Sequence, residues 1–225
     1  MSQERIDLNK IERIRIESDK NALLAARKKT WQALHNIAEI IQPGMREADI
    51  YTASLEILKR AGVSKYWHRP WIRFSSNTLK SFGQQSEPGV RLRPNDIFFI
   101  DIGPVWGDFE GDAGETFIVG EDAEMQRCKL DVKRIFLETK RRWEQDHLSG
   151  DGLYRLAQNL ATELGWVLNL EVDGHTLSNF PHVLHYRGSL RGIHLTPSPY
   201  NWVLEIQIRH PKRDFGAFYE DLLLT

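Results

Sequence analysis

The sequence predicts one mixed domain of the α/β or α+β class, in which helices and strands alternate along the chain. Three observations support this class. Several segments repeat apolar residues at helical spacing, whereas others are short runs of β-branched and aromatic residues. Gly and Pro separate these segments. The 225 residues contain no short-period repeat, low-complexity tract or clear linker. We therefore predict one domain over 21–225 after a polar extension over 1–20.

The helices are justified by apolar stripes and by the breaks that follow them. Leu24, Trp31 and Leu34 begin the first stripe, which ends before Pro43-Gly44. Glycines follow the other stripes, because a helix commonly stops at Gly. The predicted helices cover residues 21–41, 47–60, 121–147 and 153–164.

The strands are justified by runs of apolar and β-branched residues. The predicted extended segments cover 67–77, 97–100, 116–119, 202–208 and 218–224. Residues 81–96 hold two prolines and two glycines and are predicted to form a loop. The last third as a whole is predicted to be strand-like.

Composition limits the classes of function. The chain is 41% hydrophobic and 27% charged, with a net charge of −1. This balance is typical of a globular protein and gives no general attraction to nucleic acid or to an anionic membrane. No apolar run reaches about 18 residues, and the charged N-terminus lacks a signal-peptide core. Cys128 is the only cysteine, so we expect a cytoplasmic protein without internal disulfides.

Acidic residues inside apolar segments point to a metal site. Asp101 and Asp112 lie eleven positions apart on two predicted strands, and Glu205 and Glu220 lie within two later apolar runs. Buried carboxylates are costly unless they are paired or bound to metal. Two divalent cations would balance four carboxylates, and oxygen ligands with one imidazole, from His175, suit Mn, Fe, Co or Zn. Two such ions can activate water and polarise a carbonyl.

These residues and their spacing resemble the methionine aminopeptidase and Xaa-Pro peptidase superfamily, the metallopeptidases of the pita-bread fold. Its ligands are Asp, Asp, His, Glu and Glu, and the first two are eleven residues apart, as Asp101 and Asp112 are. A second His follows the first by seven residues, as His182 follows His175. The segments IIQPGMREADI, GDAGETFIVG and FYEDLLLT also resemble family segments. The resemblance spans about residues 20–225 and implies a pseudo-two-fold antiparallel sheet covered by helices.

The resemblance also implies roles for the site residues. The metal ligands would be Asp101, Asp112, His175, Glu205 and Glu220. Asp112 and Glu220 would bridge two divalent ions (Mn, Co, Fe or Zn), and Glu205 would also shuttle the proton of the nucleophilic water. His182 would steady the scissile carbonyl or the tetrahedral oxyanion. The implied function is a dinuclear hydrolase that cleaves a peptide or small amide bond near a free terminus, of the aminopeptidase or Xaa-Pro peptidase type.

The sequence departs from the family on the substrate side. The family has a further His about 18–20 residues before the first Asp, but residues 80–84 contain none, and His68 lies further upstream in another segment. Thr176 replaces a Gly, Ile206 replaces a Pro, and Glu115 replaces an Arg. Two alternatives therefore stay open: a pita-bread domain with weak or no catalysis that binds peptides or proteins, and a metal-free hydrolase like creatinase.

The same residues have ordinary structural interpretations. Asp101 and Asp112 could be turn residues, and Glu205 or Glu220 could face solvent; their order and spacing favour ligands instead. His185 and His194 stay undecided, and His68, His147 and His210 are predicted at the surface or in packing. Trp67, Trp71 and Phe74 are predicted in the core, with a pocket as the alternative because this stretch resembles a pocket-lining segment of the family. The arginines of segment 187–213 (Arg187, Arg191, Arg209 and Arg213) are predicted to be a solvated face, with a substrate carboxylate as the alternative ligand.

From this sequence we expect no counterpart of the N-terminal domain of typical Xaa-Pro peptidases. We expect a homodimer, because a partner would cover an active-site face that otherwise lies open. The expected partners are a peptide or small amide substrate, with no nucleic acid and no membrane.

Overall fold

The computed structural model describes residues 7–14 and 16–225. It contains five α-helices and eight strands in that part of the chain. The helices are α1 (Leu8–Ile11), α2 (Glu17–Glu39), α3 (Glu47–Arg60), α4 (Ala123–Asp146) and α5 (Gly150–Glu163). The strands are β1 (Lys65–Phe74), β2 (Asp96–Trp106), β3 (Phe109–Glu110), β4 (Ala113–Val119), β5 (Val167–Leu168), β6 (His175–Thr176), β7 (Trp202–Arg209) and β8 (Gly216–Leu222).

All strands belong to one antiparallel sheet with the order β1-β2-β4-β8-β7-β5, in which β3 pairs with β2 and β6 pairs with β7. The two halves are built alike. Helices α2 and α3 pack on β1, β2 and β4, and helices α4 and α5 pack on β7 and β8. The sheet therefore joins two similar halves at the β4–β8 pair, as the resemblance implies.

Each strand divides its side chains between the two faces of the sheet. On β7, Leu204, Ile206 and Ile208 pack in the core beneath α4 and α5. Glu205 and Gln207 alternate with them and point to the opposite face. The helices thus cover one face, and the acidic residues are left on the other.

Local sequence signals predict most of these elements. The structure confirms α3, the loop after β1, and β7 within one residue. Helix α2 begins at Glu17, inside the predicted extension, and residues 12–14 contact the body of the chain: Asn201 Oδ1 accepts hydrogen bonds from the backbone N–H of Arg13 and Ile14. Helix α5 begins at Gly150, three residues before its predicted start at 153, and the break from α4 lies at 147–149.

The prediction that the last third is strand-like is wrong between β6 and β7. Residues 177–201 form irregular chain with two short 3₁₀ turns, His182–Leu184 and Leu190–Gly192. This stretch contains Pro181, Pro197 and Pro199. Proline lacks the N–H that a sheet requires, so this stretch forms a cover over the sheet instead of adding strands.

Candidate metal and catalytic site

Three carboxylates lie in one row across the middle of the sheet. Asp101 on β2 pairs with Gly114 on β4, Gly114 pairs with Glu220 on β8, and Glu220 pairs with Glu205 on β7. Directly opposed residues in a sheet present their side chains on the same face. The row therefore brings together acids that lie as far as 119 residues apart in the sequence. Glu205 and Glu220 are 4% and 1% exposed, so the solvent-facing alternative is wrong for both.

Gly114 gives this row the space it needs. A Cβ atom at this position would lie 2.8 Å from Glu220 Oε1 and 2.3 Å from Phe218 Cε1. Any larger residue would therefore push into the carboxylates that meet over it. The small residue lets Asp101 and Glu220 approach one another across the intervening strand.

Asp112 and His175 complete the predicted set. Asp112 ends the connection between β3 and β4, and its Oδ2 lies 3.0 Å from His175 Nε2. His175 Nε2 also lies 3.3 Å from Glu205 Oε1. All five predicted ligands thus line one buried point on the open face of the sheet.

His68 also lies at this point, so the prediction that it is a surface or packing residue is wrong. Its Nε2 lies 3.3 Å from Asp101 Oδ1 and 3.5 Å from Asp112 Oδ1. One donor atom each from His68, Asp101 and Asp112 fall within 4.8 Å of one another, the spacing that a single ion can bridge. His68 reaches the site because β1 pairs with β2 and sets His68 opposite Gly103.

The two imidazoles are held in the same way. His68 Nδ1 lies 2.7 Å from the carbonyl of Arg69, and His175 Nδ1 lies 2.7 Å from the carbonyl of Thr176. A ring that donates through Nδ1 keeps the lone pair of Nε2 for a metal, and metal-ligating histidines are usually oriented in this way. Both Nε2 atoms face the carboxylates.

The donor set fits divalent cations. Three buried oxygens, Asp101 Oδ1, Asp112 Oδ1 and Glu220 Oε1, have no hydrogen-bond partner among the described residues; the nearby His68 Nε2 is close to two of them but does not have hydrogen-bond geometry. Buried acceptors without partners are rare and costly. Carboxylate oxygens with two imidazole nitrogens are ligands for Mn, Fe, Co or Zn.

The pKa values of the acids reflect the same crowding. Burial raises the pKa of Asp101 to about 6 and that of Glu205 to about 8, and it raises the pKa of Glu220 well above its ordinary value. Nearby like charges add to each rise. Burial also works to raise the pKa of Asp112, but the hydrogen bond from His175 and the nearby imidazole of His68 together outweigh it and hold that pKa low.

The histidines respond in the opposite sense. Burial alone would lower the pKa of each imidazole. At each histidine burial is the largest single effect, but the neighbouring acids together outweigh it, namely Asp101 and Asp112 at His68 and Asp112 and Glu205 at His175, so both pKa values rise to about 9. The site is thus a place of strongly negative potential that favours cations.

His182 lies beside the acidic row and is oriented by a residue that the sequence did not single out. Glu110, fully buried on β3, accepts hydrogen bonds through Oε1 from the backbone N–H of His182 (2.9 Å) and through Oε2 from the backbone N–H of Ser178 (3.2 Å). Its Oε2 also lies 2.9 Å from His182 Nδ1. The ring of His182 stacks on that of His175 at 5.1 Å. One feature of the sequence could have identified Glu110: it stands directly before Gly111 and Asp112.

Trp67 belongs to the site rather than to the core, contrary to prediction. It is half-buried and its Nε1 donates to the carbonyl of Gly111 at 3.0 Å. Its ring lies 4.1 Å from that of His68, 4.6 Å from that of His175 and 5.1 Å from that of His182. Trp67 therefore covers the three imidazoles. Phe74 is a core residue as predicted.

Other candidates lie away from the acidic row. His185 and His194 are exposed, and His194 Nδ1 lies 3.5 Å from Asp151. His147 ends α4, and His210 packs on Phe215 and contacts Glu124.

The arginine segment 187–213 does not form a carboxylate site. Arg191 pairs with Asp173, and Arg213 pairs with Asp122 and Glu124. These contacts support the predicted solvated face. Glu115, at the position of a family Arg, lies 3.0 Å from both His35 and Lys133.

Comparison with known proteins agrees with this geometry. A model of metallopeptidase family M24 matches residues 21–224. No curated protein matches the sequence. No helix in the described part of the chain has the length and apolarity needed to cross a membrane.

Solved structures share the fold at low sequence identity. A prolidase from Pyrococcus furiosus is 19% identical with a TM-score of 0.75, over 96% of this chain and 63% of that one. A methionine aminopeptidase from Thermotoga maritima is 18% identical with a TM-score of 0.76, over 95% and 96%. A prolidase from Thermococcus sibiricus is 15% identical with a TM-score of 0.79, over 97% and 59%. The predicted pita-bread fold is confirmed, and this chain spans about 63% of the length of the Pyrococcus furiosus prolidase.

Proposed function

We propose that this chain, which belongs to metallopeptidase family M24, is a dinuclear metal-dependent peptidase that cleaves a peptide or small amide bond near a free terminus. The observation that carries the proposal is the set of three buried carboxylate oxygens without partners, from Asp101, Asp112 and Glu220. They converge with two imidazoles on one point. Such a set is costly in the empty protein and is relieved by cations.

The ligands that we propose are the five from the sequence and His68. Bound divalent ions would supply Lewis-acid polarisation of the scissile carbonyl and make a water molecule acidic. The six proposed ligands are Asp101, Asp112, His175, Glu205, Glu220 and His68. His68 supports this role because its Nε2 faces two of the carboxylates and its Nδ1 is held as that of His175 is.

We propose Glu205 as the group that accepts and returns the proton of the attacking water. Its carboxylate is 4% exposed and stands at the end of the acidic row, where a water held by the same ligands would lie next to it. Its neighbour His175 lies 3.3 Å away and fixes the carboxylate in place. Because the site is buried, competing water is also kept away from the reacting bond.

We propose His182 as the group that faces the scissile carbonyl and stabilises the developing oxyanion. Glu110 fixes the ring through Nδ1, so that Nε2 is the atom left to face a substrate. Trp67 packs on the edge of this ring and limits its movement.

Metal content tests the proposal directly. Protein stripped with chelator and reloaded with Mn, Co, Fe or Zn in turn should hold about two ions per chain by elemental analysis. Asp112→Asn should lose most of this metal, because Asp112 contacts both imidazoles. Asp173→Asn is the matched control, since Asp173 pairs with Arg191 outside the ligand set. Its metal content should equal that of the wild type.

Turnover of a peptide panel then identifies the reaction. Short peptides with Met, Pro or other second residues should be cleaved by the loaded protein and not by Asp112→Asn. If no metal binds under any condition, the dinuclear proposal fails and the binding-module or metal-free alternative takes its place. If metal binds but no peptide or small amide is cleaved, the catalytic part fails. A cytoplasmic location and a homodimer stay predictions; light scattering on the purified protein tests the dimer.

A further inference from the structure

A cationic and aromatic pocket lies on edge strand β1, directly after the site residues Trp67 and His68. We name it the β1 pocket. Its volume is about 380 Å³. The residues that matter for its chemistry are Glu47, Tyr51, Arg69, Trp71, Arg73 and Ser86.

Two arginines pack against one indole in this pocket. The guanidinium carbon of Arg69 lies 4.0 Å from the ring centroid of Trp71, and that of Arg73 lies 4.6 Å from it. A guanidinium stacked on an aromatic ring keeps its planar N–H groups available at the edges. The stack therefore orients both cations without using up their hydrogen-bond donors.

The β1 pocket adjoins the acidic row through the pairing of β1 with β2. Trp71 pairs with Asp101, and Arg73 pairs with Phe99, two residues before Asp101 on β2. Opposed residues share a face of the sheet, so these two side chains project on the same side as Asp101. The carboxylate of Asp101 also acts on the charge of Arg73. Trp71, which lines the pocket, is therefore a direct neighbour of the acidic row.

The arginines have no acidic partner of their own. Within the described part of the chain, no carboxylate lies at ion-pair distance from Arg69 or Arg73. Arg73 is 2% exposed and donates to neutral acceptors, namely Ser86 Oγ and the carbonyls of Gln84 and Ser81. Arg69 is exposed. A buried cation whose hydrogen-bond acceptors are all neutral, with Glu47 and Asp101 acting on it only at longer range, favours an added anion.

One acid lines the pocket, and its hydrogen bonds point elsewhere. Glu47 Oε1 accepts from the backbone N–H of Phe74 at 2.7 Å and from Asn77 Nδ2 at 2.9 Å. Two guanidinium groups against one carboxylate leave the pocket with a net positive charge. The loop that carries Ser86 closes one side, so an anion would meet Arg69 at the open side.

We propose that the β1 pocket binds a carboxylate of the peptide substrate, which would give the enzyme a preference for peptides that carry an acidic group there. This inference rests on the proposed peptidase function. Guanidinium groups bind carboxylates through paired charge-assisted hydrogen bonds. Trp71 holds Arg69 in advance of binding, which lowers the ordering cost. The carboxylate could belong to an acidic side chain or to the peptide C-terminus.

Binding to metal-free protein separates this inference from catalysis. Isothermal titration calorimetry would use three probes: N-acetyl-glutamate α-amide with a side-chain carboxylate, N-acetyl-glycine with a terminal carboxylate, and N-acetyl-glutamine amide with none. At least one carboxylate probe should bind about tenfold more tightly than the neutral probe. The probe that does so identifies the source of the carboxylate.

Arg69→Gln tests whether the pocket is responsible, and Arg60→Gln is the matched control. Arg60 is an exposed arginine at the end of α3, so its variant makes the same change of charge. Arg69→Gln should lose about tenfold in affinity for the carboxylate probe, and Arg60→Gln should bind as the wild type does. In the loaded enzyme, the ratio of kcat/KM for an acidic peptide to that for its neutral analogue should fall about tenfold in Arg69→Gln.

Two results would overturn the inference: carboxylate probes that bind no better than the neutral amide, or equal binding by Arg69→Gln and the wild type. Carboxylate binding that depends on Arg69 in a protein without peptidase activity would uphold the pocket while the proposed function fails. Peptidase activity without a preference for carboxylates would support the proposed function and overturn the inference about the pocket.

Discussion

Replacement of Glu205 by Gln should stabilise the metal-free protein while it impairs metal binding. Most core substitutions destabilise a protein, so the expected sign is unusual. The reason is that Glu205 is 4% exposed and lies in a cluster with Asp101, Asp112 and Glu220, with only His175 as a close cationic partner. The proposed ligands carry more negative charge than the other residues of the metal-free protein can neutralise.

The pKa of Glu205 gives the size of the effect. Burial, with smaller contributions from Asp112 and Asp101, raises that pKa from 4.5 to about 8. Each tenfold difference in proton affinity is worth about 1.4 kcal/mol, so at pH 7 the folded state carries a penalty of about 3 kcal/mol. Gln removes the penalty but weakens the contact with His175. We expect a net gain of about 1–3 kcal/mol, or about 3–10 °C in Tm for a chain of this size.

The sign of the pH dependence follows from the raised pKa. A carboxyl whose pKa is higher in the folded than in the unfolded state favours folding through its proton. Its contribution is complete below pH 4.5 and is lost as the pH rises toward about 8. The difference between Glu205→Gln and the wild type should therefore be near zero at pH 4.5, grow through neutrality and be largest at pH 8.

Thermal and urea unfolding of chelator-treated proteins at pH 5, 7 and 8 provide the assay. Glu115→Gln is the matched control, because Glu115 is also a buried glutamate of the sheet but contacts Lys133 and His35 at 3.0 Å. Loss of those ion pairs should lower the stability of this variant by up to about 1 kcal/mol. Added Mn should raise the Tm of the wild type and of Glu115→Gln more than that of Glu205→Gln. A Glu205→Gln protein that is less stable than the wild type at pH 8, or that binds metal equally well, would refute the reasoning.

Three further substitutions probe the geometry. Gly114→Ala would place a methyl group 2.8 Å from Glu220 Oε1, so elemental analysis should find less metal per chain; unchanged content would contradict the role of this glycine. His68→Ala should weaken metal binding by about tenfold or more in calorimetric titrations, and unchanged affinity would exclude His68 as a ligand. Glu110→Gln should keep the metal but lower kcat by about tenfold, because an amide has one acceptor oxygen in place of the two that hold the backbone N–H groups of His182 and Ser178 and the ring of His182; equal kcat would argue against this orienting contact.

Local signals in the sequence account for the elements, and the order of the acids accounts for much of the site. Helix α3 has its predicted limits because Pro43-Gly44 precedes it and Gly62 follows it. The acidic residues in β7 and β8 could be selected because charged residues rarely interrupt apolar strands unless they have a function. Strand register then determines that they meet, and register depends on the pairing of distant segments.

The residues that sequence reasoning misplaced all depend on tertiary context. His68 precedes Asp101 by 33 positions because a 3₁₀ turn (Ser75–Leu79) and the loop over 80–95 lengthen the connection from β1 to β2. A search for a histidine at a fixed distance from Asp101 therefore fails. The aromatic and β-branched residues of 67–77 favour a core position for Trp67. Its position over three imidazoles depends on β6 and on the cover between β6 and β7, which no local pattern reports.

The irregular pairing of β1 explains how consecutive residues can serve the same site. In a regular strand neighbouring side chains point to opposite faces. The register of β1 against β2 shifts on both sides of His68, between Tyr66 and His68 and between His68 and Trp71. Such irregularities redirect side chains and are frequent near active sites. They allow both Trp67 and His68 to reach His175 and the carboxylates, with Arg69 at the start of the β1 pocket. The missing histidine at 80–84 is therefore weak evidence for a binding module, since β1 supplies an imidazole to the acidic row by another route.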